Sequence, residues 1–198
     1  MMHKVLSASL ILLSSVAHAD SCHWQANEAQ PFIGASELQG FSLLQSNTRP
    51  VATAHDEKGI FQSEAAGNRN WFSASSADQL WNVRDIRLRF ATAEQARHYL
   101  AEKLAELSED APEMEPTEVD GVSVRVFGPR NAKAEFIAKA TGQSVDKLNG
   151  YAYVFAVGPT VGGVLLYQGT TSPVKLKRLD HIEILRAAID RVKGLCAK

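Results

Sequence analysis

Residues 151–169, with the sequence YAYVFAVGPTVGGVLLYQG, constrain the fold more than any other stretch of the chain. Two apolar runs, 151–157 and 164–167, flank a cluster of glycine, proline and threonine at 158–163. This is the pattern of two strands joined by a tight connection. Both runs are almost continuously apolar and rich in β-branched and aromatic residues. We therefore expect two central strands in a sheet whose faces are both largely covered.

The glycines of this stretch, Gly158, Gly162 and Gly163, have two interpretations. Glycine supplies the positive φ that tight turns need, or it lets a loop cradle a phosphate. A phosphate loop would be followed by a Lys-Ser/Thr pair and a helix, and neither follows Gly163. We therefore interpret these glycines as turn residues. The longest apolar run is also too short for a membrane-spanning helix, which needs roughly 18–20 residues.

The first 19 residues have the three parts of a secretory signal peptide. Lys4 gives a positive start, residues 5–16 form a short apolar core, and Ala17-His18-Ala19 fits a cleavage site between small residues. A retained anchor helix is the alternative, but the apolar core is too short for one. We expect residues 20–198 to form one exported domain that is periplasmic or secreted.

Charge balance limits the partners of the exported domain. After removal of residues 1–19 the chain has 20 basic and 22 acidic side chains, a net charge of −2. Such a balance gives no general attraction to nucleic acid or to an anionic membrane surface. We expect no nucleic-acid partner and no membrane span in the mature chain. The expected partner is a protein or a component of the cell envelope.

Cys22 and Cys196 are the only cysteines, and they are 174 positions apart. An even cysteine count in an exported chain indicates a disulfide. The chain-entropy model gives such a bond roughly 5 kcal/mol of stability, less any strain. The alternative is a redox or metal-binding pair, but the CxxC spacing and the neighbouring histidines of such sites are missing. We predict a structural disulfide that joins the two ends of the mature chain.

The rest of the chain alternates between strand and helix patterns. Before residue 83 we predict a strand at 41–45, a hairpin of 51–54 and 59–63 with a polar tip, a loop at 67–70, and a helical turn at 76–80. From residue 83 the elements are a strand at 83–90, a helix that begins after Thr92, an acidic connector at 108–117, a strand at 121–128, and a helix at 132–140 capped by Asn131. A last helix begins after Asp180 and ends at Gly194. We predict an α+β fold: a mainly antiparallel sheet with two or three helices packed on it.

Two of these elements have specific signals. Ile86, Leu88 and Phe90 alternate with polar residues, as in a half-buried strand with one polar face. Thr92 and Gln95 have the S/T-x-x-E/Q spacing of a capping box. The apolar stripe of the helix that follows consists of Ala93, Ala96, Tyr99, Leu100, Leu104 and Leu107.

Residues 86–106, the central hairpin and the closing helix with Ile-Asp-Arg-Val at 189–192 resemble exported bacterial sensor-type domains. The extracellular sensor domains of mycobacterial serine/threonine kinases are the example. The resemblance covers residues 86–196 and lies in the order of the elements and in the helix entry. It implies an exported α+β recognition domain.

Chemistry-bearing motifs are few. Outside the signal peptide the histidines are His23, His55, His98 and His181, and none has the spacing of a metal site. We expect His98 and His181 to lie on the surface. His55-Asp56-Glu57 could supply acid–base groups, but at a hairpin tip these side chains would be solvated. The nucleophile motif GxSxG is absent. We predict no catalytic residue, metal or cofactor.

Two sets of residues are candidate binding surfaces. Arg87 and Arg89 project from one face of their strand, and Arg125 would join them if its strand is adjacent. The alternative is that these arginines are solvated or are paired with the acidic residues at 106–120. The second set is Arg69, Trp71 and Phe72, which have the composition of an interface anchor. Trp71 has the alternative of being a core residue.

These observations favour an exported, non-enzymatic domain that binds a partner protein or an envelope component. The first alternative is a small inhibitor or immunity-type protein of an envelope-active enzyme. It would present an exposed loop, for which 67–70 and 159–163 are the candidates. The second alternative is a hydrolase whose active site is assembled from dispersed residues.

Overall fold

The computed structural model describes residues 22–76, 79–131, 147–170 and 181–196. These residues form nine strands and two helices: β1 (Ser42–Thr48), β2 (Thr53–Asp56), β3 (Gly59–Gln62), β4 (Ala65–Ser76), β5 (Gln79–Arg89), α1 (Ala93–Asp110), β6 (Thr117–Val119), β7 (Val122–Asn131), β8 (Lys147–Val157), β9 (Thr160–Thr170) and α2 (His181–Cys196). The predicted signal peptide, the predicted helix at 132–140 and the cap Asp180 lie outside the described residues.

Seven strands form one sheet in the order β1-β4-β5-β9-β8-β7-β6, and all neighbours in it are antiparallel. Strands β2 and β3 form a separate hairpin. The predicted α+β class is confirmed, and so is the predicted disulfide between Cys22 and Cys196. A disulfide indicates an oxidising, non-cytoplasmic compartment. In the described part of the chain, we find no helix that combines the length and the apolar character needed to cross a membrane.

The hairpin of β8 and β9 lies at the centre of the sheet, as its apolar composition predicts. Its turn is shorter than expected, because Val157 already pairs with Thr160. Gly158 has a φ of 54° and is a turn residue. Gly162 and Gly163 instead lie inside β9, so their interpretation as turn residues was wrong. A side chain on Gly162 would overlap the ring of Phe155 on the neighbouring strand, and this glycine therefore leaves room for that ring.

Both faces of the sheet are covered by other parts of the chain. Side chains alternate between the two faces along each strand, so each face has its own set of buried residues. On one face, called here the α2 face, the buried side chains of Val83, Tyr153, Phe155, Val164 and Leu166 pack with helix α2. The segment 22–41 covers the same face with Trp24, Phe32, Ile33 and Leu38. On the opposite, α1 face, the side chains that pack with helix α1 are Leu88, Ala152, Val154 and Val161.

The predicted cap begins helix α1, whose N-cap Thr92 accepts a hydrogen bond from the Gln95 N–H at 3.1 Å. In helix α2 the predicted residues Leu185, Ala188, Ile189 and Val192 are buried, while Ile182 is exposed. The helix continues past Gly194 to Cys196, so the predicted end was wrong. Cys196 lies four residues after Val192, on the same side of the helix, and there it meets Cys22.

Two predictions about the first half of the chain were wrong. Residues 67–70 do not form a loop but lie inside β4, where Gly67 pairs with Thr48 on one side and Arg87 on the other. A Cβ on Gly67 would lie 2.7 Å from the Phe32 ring, so this glycine makes room for an aromatic ring. At the predicted helical turn, Ser76 and Gln79 are paired strand residues, and 77–78 lie outside the described residues.

Candidate ligand-binding site

Arg87 does not lie on a polar face. It and Asp85 are both fully buried on the α2 face, where they form an ion pair. Arg87 also donates from Nε to the Pro31 carbonyl at 3.2 Å and from Nη2 to the Ala188 carbonyl at 3.3 Å. The predicted polar face was wrong because the segment 22–41 and helix α2 cover it. Alternation along a strand separates two faces but does not show what covers them.

The Asp85–Arg87 pair connects three parts of the fold. Asp85 accepts a hydrogen bond from the Ile33 N–H at 2.7 Å, so strand β5 is joined to the segment 22–41, and Arg87 joins it to α2. Burial raises the pKa of Asp85, although Arg87 and the Ile33 N–H favour its ionised form. With no exposed surface, Arg87 has a structural position and is not accessible to a partner.

The other two arginines of the first candidate surface are each paired with an acid. Arg89 lies 2.8 Å from a Glu64 oxygen, and Arg125 forms an ion pair with Glu113. The predicted pairing with the acidic region at 106–120 therefore holds for Arg125 and not for Arg89. Exposed pairs of this kind contribute about 0.2–1 kcal/mol.

The second candidate set, Arg69, Trp71 and Phe72, is divided between the two faces of β4. Trp71 is buried in the α2-face core, so its core interpretation is the one that the structure supports. The Arg69 guanidinium lies over the Phe32 ring, 5.2 Å from the ring centre. Phe72 points to the opposite face because it follows Trp71 in a strand. These three side chains do not form one continuous surface.

The predicted surface position of His181 was wrong, whereas His98 is exposed as predicted. His181 is buried as the first residue of α2, where its Nδ1 contacts the Tyr153 hydroxyl and its ring packs on Tyr151. His55 is exposed on the β2–β3 hairpin, 3.8 Å from Glu102 of α1. Among the described residues there is no group of three histidine, cysteine or acidic side chains that could hold a metal.

The sequence patterns missed a cavity of about 250 Å³ between helix α1 and the sheet, called here the α1 cavity. Its floor consists of residues paired across three strands. One row is Arg84, Leu165 and Ala152; the next is Ile86, Gly163 and Val154; the third is the pair Leu88 and Val161. Gly163 is the centre of this floor. A Cβ there would meet Ile86 at 3.7 Å, an ordinary contact, so the missing side chain leaves the floor open.

The rim of the α1 cavity is mainly cationic. Arg49, Arg84 and Lys103 line it, together with Tyr99 and Asp110. Lys103 is paired with Glu106 on α1, and Asp110 is the acidic group of the rim. Arg84 belongs to the first row of the floor, whereas the backbone of Arg49 is level with the third row, because its N–H donates to the carbonyl of Ala66, the strand partner of Leu88.

Arg49 and Arg84 are close enough to repel each other. Burial lowers the pKa of the Arg84 guanidinium, the positive charge of Arg49 lowers it further, and Tyr167 opposes the shift. Burial raises the pKa of the Tyr99 hydroxyl, and Arg49 opposes that shift. Two guanidinium groups with a phenol between α1 and the sheet therefore form a site of positive potential.

Arg49 and Arg84 differ from most other arginines of the described residues because they have no carboxylate partner. Within the described residues, neither Arg49 nor Arg84 has a carboxylate within 4.0 Å, and the buried Nε of Arg84 has no hydrogen-bond partner. Five other arginines do have a carboxylate partner: Arg87, Arg89, Arg125, Arg186 and Arg191.

A signal for this site was present in the sequence. Arg84 shares its strand face with Ile86 and Leu88, so an arginine lies on the apolar side of an alternating strand. Gly163 lies within a run that is otherwise typical of a strand. The contribution of Arg49 and Lys103 depends on the fold, because they come from distant parts of the chain. Comparison with protein-family models, curated proteins and solved structures found no match. The resemblance to sensor-type domains therefore stays a prediction.

Proposed function

We propose that this protein is an exported, non-enzymatic binding domain, periplasmic or secreted, that binds an anionic component of the cell envelope in the α1 cavity. The observation that carries this proposal is the half-buried Arg84, which lies beside Arg49 and has no carboxylate partner among the described residues. The disulfide supports the exported location, because such bonds persist in oxidising compartments.

An anion would relieve an unfavourable arrangement. Burial of a guanidinium without a counter-charge costs free energy, and a second guanidinium nearby increases that cost. A carboxylate or phosphate group between Arg49 and Arg84 would supply the missing charge. Each guanidinium can bind such a group through two parallel hydrogen bonds. The arrangement therefore favours a ligand with an acidic group.

The side chains of the cavity favour binding over catalysis. The described residues that line it include one carboxylate, Asp110, and no histidine, cysteine or serine. A nucleophile with a neighbouring base, as nucleophilic catalysis requires, is therefore missing from this lining. The two segments suggested as exposed loops of an inhibitor are strand residues, because 67–70 lie in β4 and 160–163 lie in β9. This counts against the inhibitor alternative.

Thermal denaturation with increasing inorganic phosphate tests the proposal. Phosphate should raise the Tm of the unchanged protein, since a ligand that binds only the folded state stabilises it. Arg84→Gln should abolish this rise. Arg97→Gln is the matched control, because Arg97 is exposed on α1 and does not line the α1 cavity. It should leave the rise unchanged.

The ligand-free variants give a second readout. Arg84→Gln should be at least as stable as the unchanged protein, because the substitution removes a half-buried charge and its repulsion from Arg49. An absent phosphate effect in the unchanged protein would contradict the proposal. An equal effect in the Arg84→Gln and Arg97→Gln variants would contradict it as well.

A further inference from the structure

We infer that the ligand of the α1 cavity is a single-chain amphiphile: its acidic head group contacts Arg49 and Arg84, and its hydrocarbon chain lies over Gly163. This inference rests on the proposed function, because it takes the α1 cavity as the anion site. It adds the chemical class of the ligand, which the cationic rim alone does not specify.

The floor of the cavity is charged at its first row and apolar at the next two. Arg84 belongs to the first row of the floor, whereas the second and third rows are formed by aliphatic side chains and Gly163. From Arg84 to Leu88 the strand rises about 13 Å, at about 3.3 Å per residue. A hydrated inorganic ion would use only the first row. A hydrocarbon chain would also cover the remaining rows and remove their apolar surface from water.

Gly163 is not required by the backbone or by packing. Its φ is not positive, and a Cβ at this position would make only an ordinary contact with Ile86. Gly162, its neighbour, differs because a side chain there would overlap Phe155. Glycine weakens a central strand, and it often marks a place where a ligand approaches the backbone. At position 163 the glycine keeps the middle of the cavity floor open.

The volume of the cavity limits the length of the chain. One water occupies about 30 Å³ in the liquid, so 250 Å³ corresponds to about eight waters. A methylene group is similar in size to a water molecule. The cavity therefore fits a chain of about eight carbons, such as the chain of octanoate or octyl phosphate. A longer chain would extend beyond the cavity.

Isothermal titration calorimetry with hexanoate, octanoate and decanoate measures how much the hydrocarbon chain of the ligand contributes to affinity. Each buried methylene should tighten binding roughly fourfold until the cavity is filled at about eight carbons. Octyl phosphate, compared with inorganic phosphate, tests whether the same gain follows a phosphate head group. Octanol, which has the chain without the charge, should bind at least tenfold more weakly than octanoate.

Gly163→Leu fills the cavity from its floor. This variant should lose at least tenfold in octanoate affinity while its response to inorganic phosphate stays unchanged. Gly163→Ala adds only the Cβ and should lose less octanoate affinity than Gly163→Leu. It provides the same test if the leucine variant does not fold. Arg84→Gln should weaken octanoate and inorganic phosphate alike.

The outcomes separate the inference from the proposed function. The inference that the ligand is an amphiphile would be overturned if affinity did not depend on chain length. It would also be overturned if Gly163→Leu and Gly163→Ala bound octanoate as tightly as the unchanged protein. The anion site would stand in that case if Arg84→Gln still abolished the phosphate response. Octanoate affinity that Arg84→Gln leaves unaltered would instead contradict the role of Arg84 in both proposals.

Discussion

Removal of the Arg87 side chain should be among the most destabilising single changes in this chain. Arg87→Met keeps much of the side-chain volume but leaves the Asp85 carboxylate buried without its counter-charge. It also removes the donors that the carbonyl groups of Pro31, Ile86 and Ala188 accept from. Breaking a buried ion pair on one side costs about 3–5 kcal/mol, and we expect a loss of that size.

Removal of both charges should cost much less. In the double variant Asp85→Asn/Arg87→Met, the asparagine oxygen can still accept the hydrogen bond from the Ile33 N–H. We therefore expect the double variant to lie within about 1–2 kcal/mol of the unchanged protein, since neutral replacement of a buried pair is often tolerated. Asp85→Asn alone leaves Arg87 buried without its counter-charge and should also cost about 3–5 kcal/mol, so the two single losses together should exceed the double loss by at least about 4 kcal/mol.

Urea denaturation of the oxidised protein measures these free energies from midpoints and slopes. Arg186→Met is the matched control, because Arg186 is paired with Asp120 at the surface and its loss should cost less than about 1 kcal/mol. The reasoning is refuted if Arg87→Met costs no more than Arg186→Met. It is also refuted if the single Asp85→Asn and Arg87→Met losses simply add in the double variant.

Two further predictions concern packing and pH. Gly162→Ala should destabilise the protein by about 1–3 kcal/mol in urea denaturation, because the new methyl group overlaps the buried Phe155 ring, whereas Gly163→Ala should cost nothing measurable. Burial raises the pKa of Glu37, but hydrogen bonds from Arg191, the Gly34 N–H and Ser36 outweigh it, and the net shift is below the ordinary 4.5. Its stabilisation is therefore present above pH 4.5 and is lost as the pH falls through the lowered folded value. Glu37→Gln should flatten the decline in stability as the pH falls below about 4.5, while Glu57→Gln at the exposed hairpin tip should leave that decline unchanged.

Local sequence patterns predicted the elements whose cause is local. The continuous apolar runs gave the central strands β8 and β9, and the Thr92–Gln95 spacing gave the start of α1. The disulfide followed from the cysteine count and the exported context. In each case the physical cause lies within a few residues or in a pairing that has only one possibility.

Features that depend on contacts between distant segments were missed. The segment 22–41 has little regular pattern, yet Trp24, Phe32 and Ile33 are buried on the α2 face. Their burial puts Arg87 in the core. Asparagine and glycine at 67–70 have turn composition, but Asn68 and Asn70 are buried strand residues. The α1 cavity likewise needs Arg49 before β2, Arg84 on β5 and Gly163 on β9 to meet.

The disulfide has a mechanical consequence. Every strand and both helices lie between Cys22 and Cys196 along the chain, so the sulfur–sulfur bond closes one covalent ring around the whole sheet. A pulling force applied to the chain outside this ring passes directly from one cysteine to the other. In the oxidised protein the strand hydrogen bonds carry none of that tension, and the sheet cannot be unzipped from its ends. After reduction the same force would act on the segment 22–41 and on α2, the two elements that cover the buried ion pair.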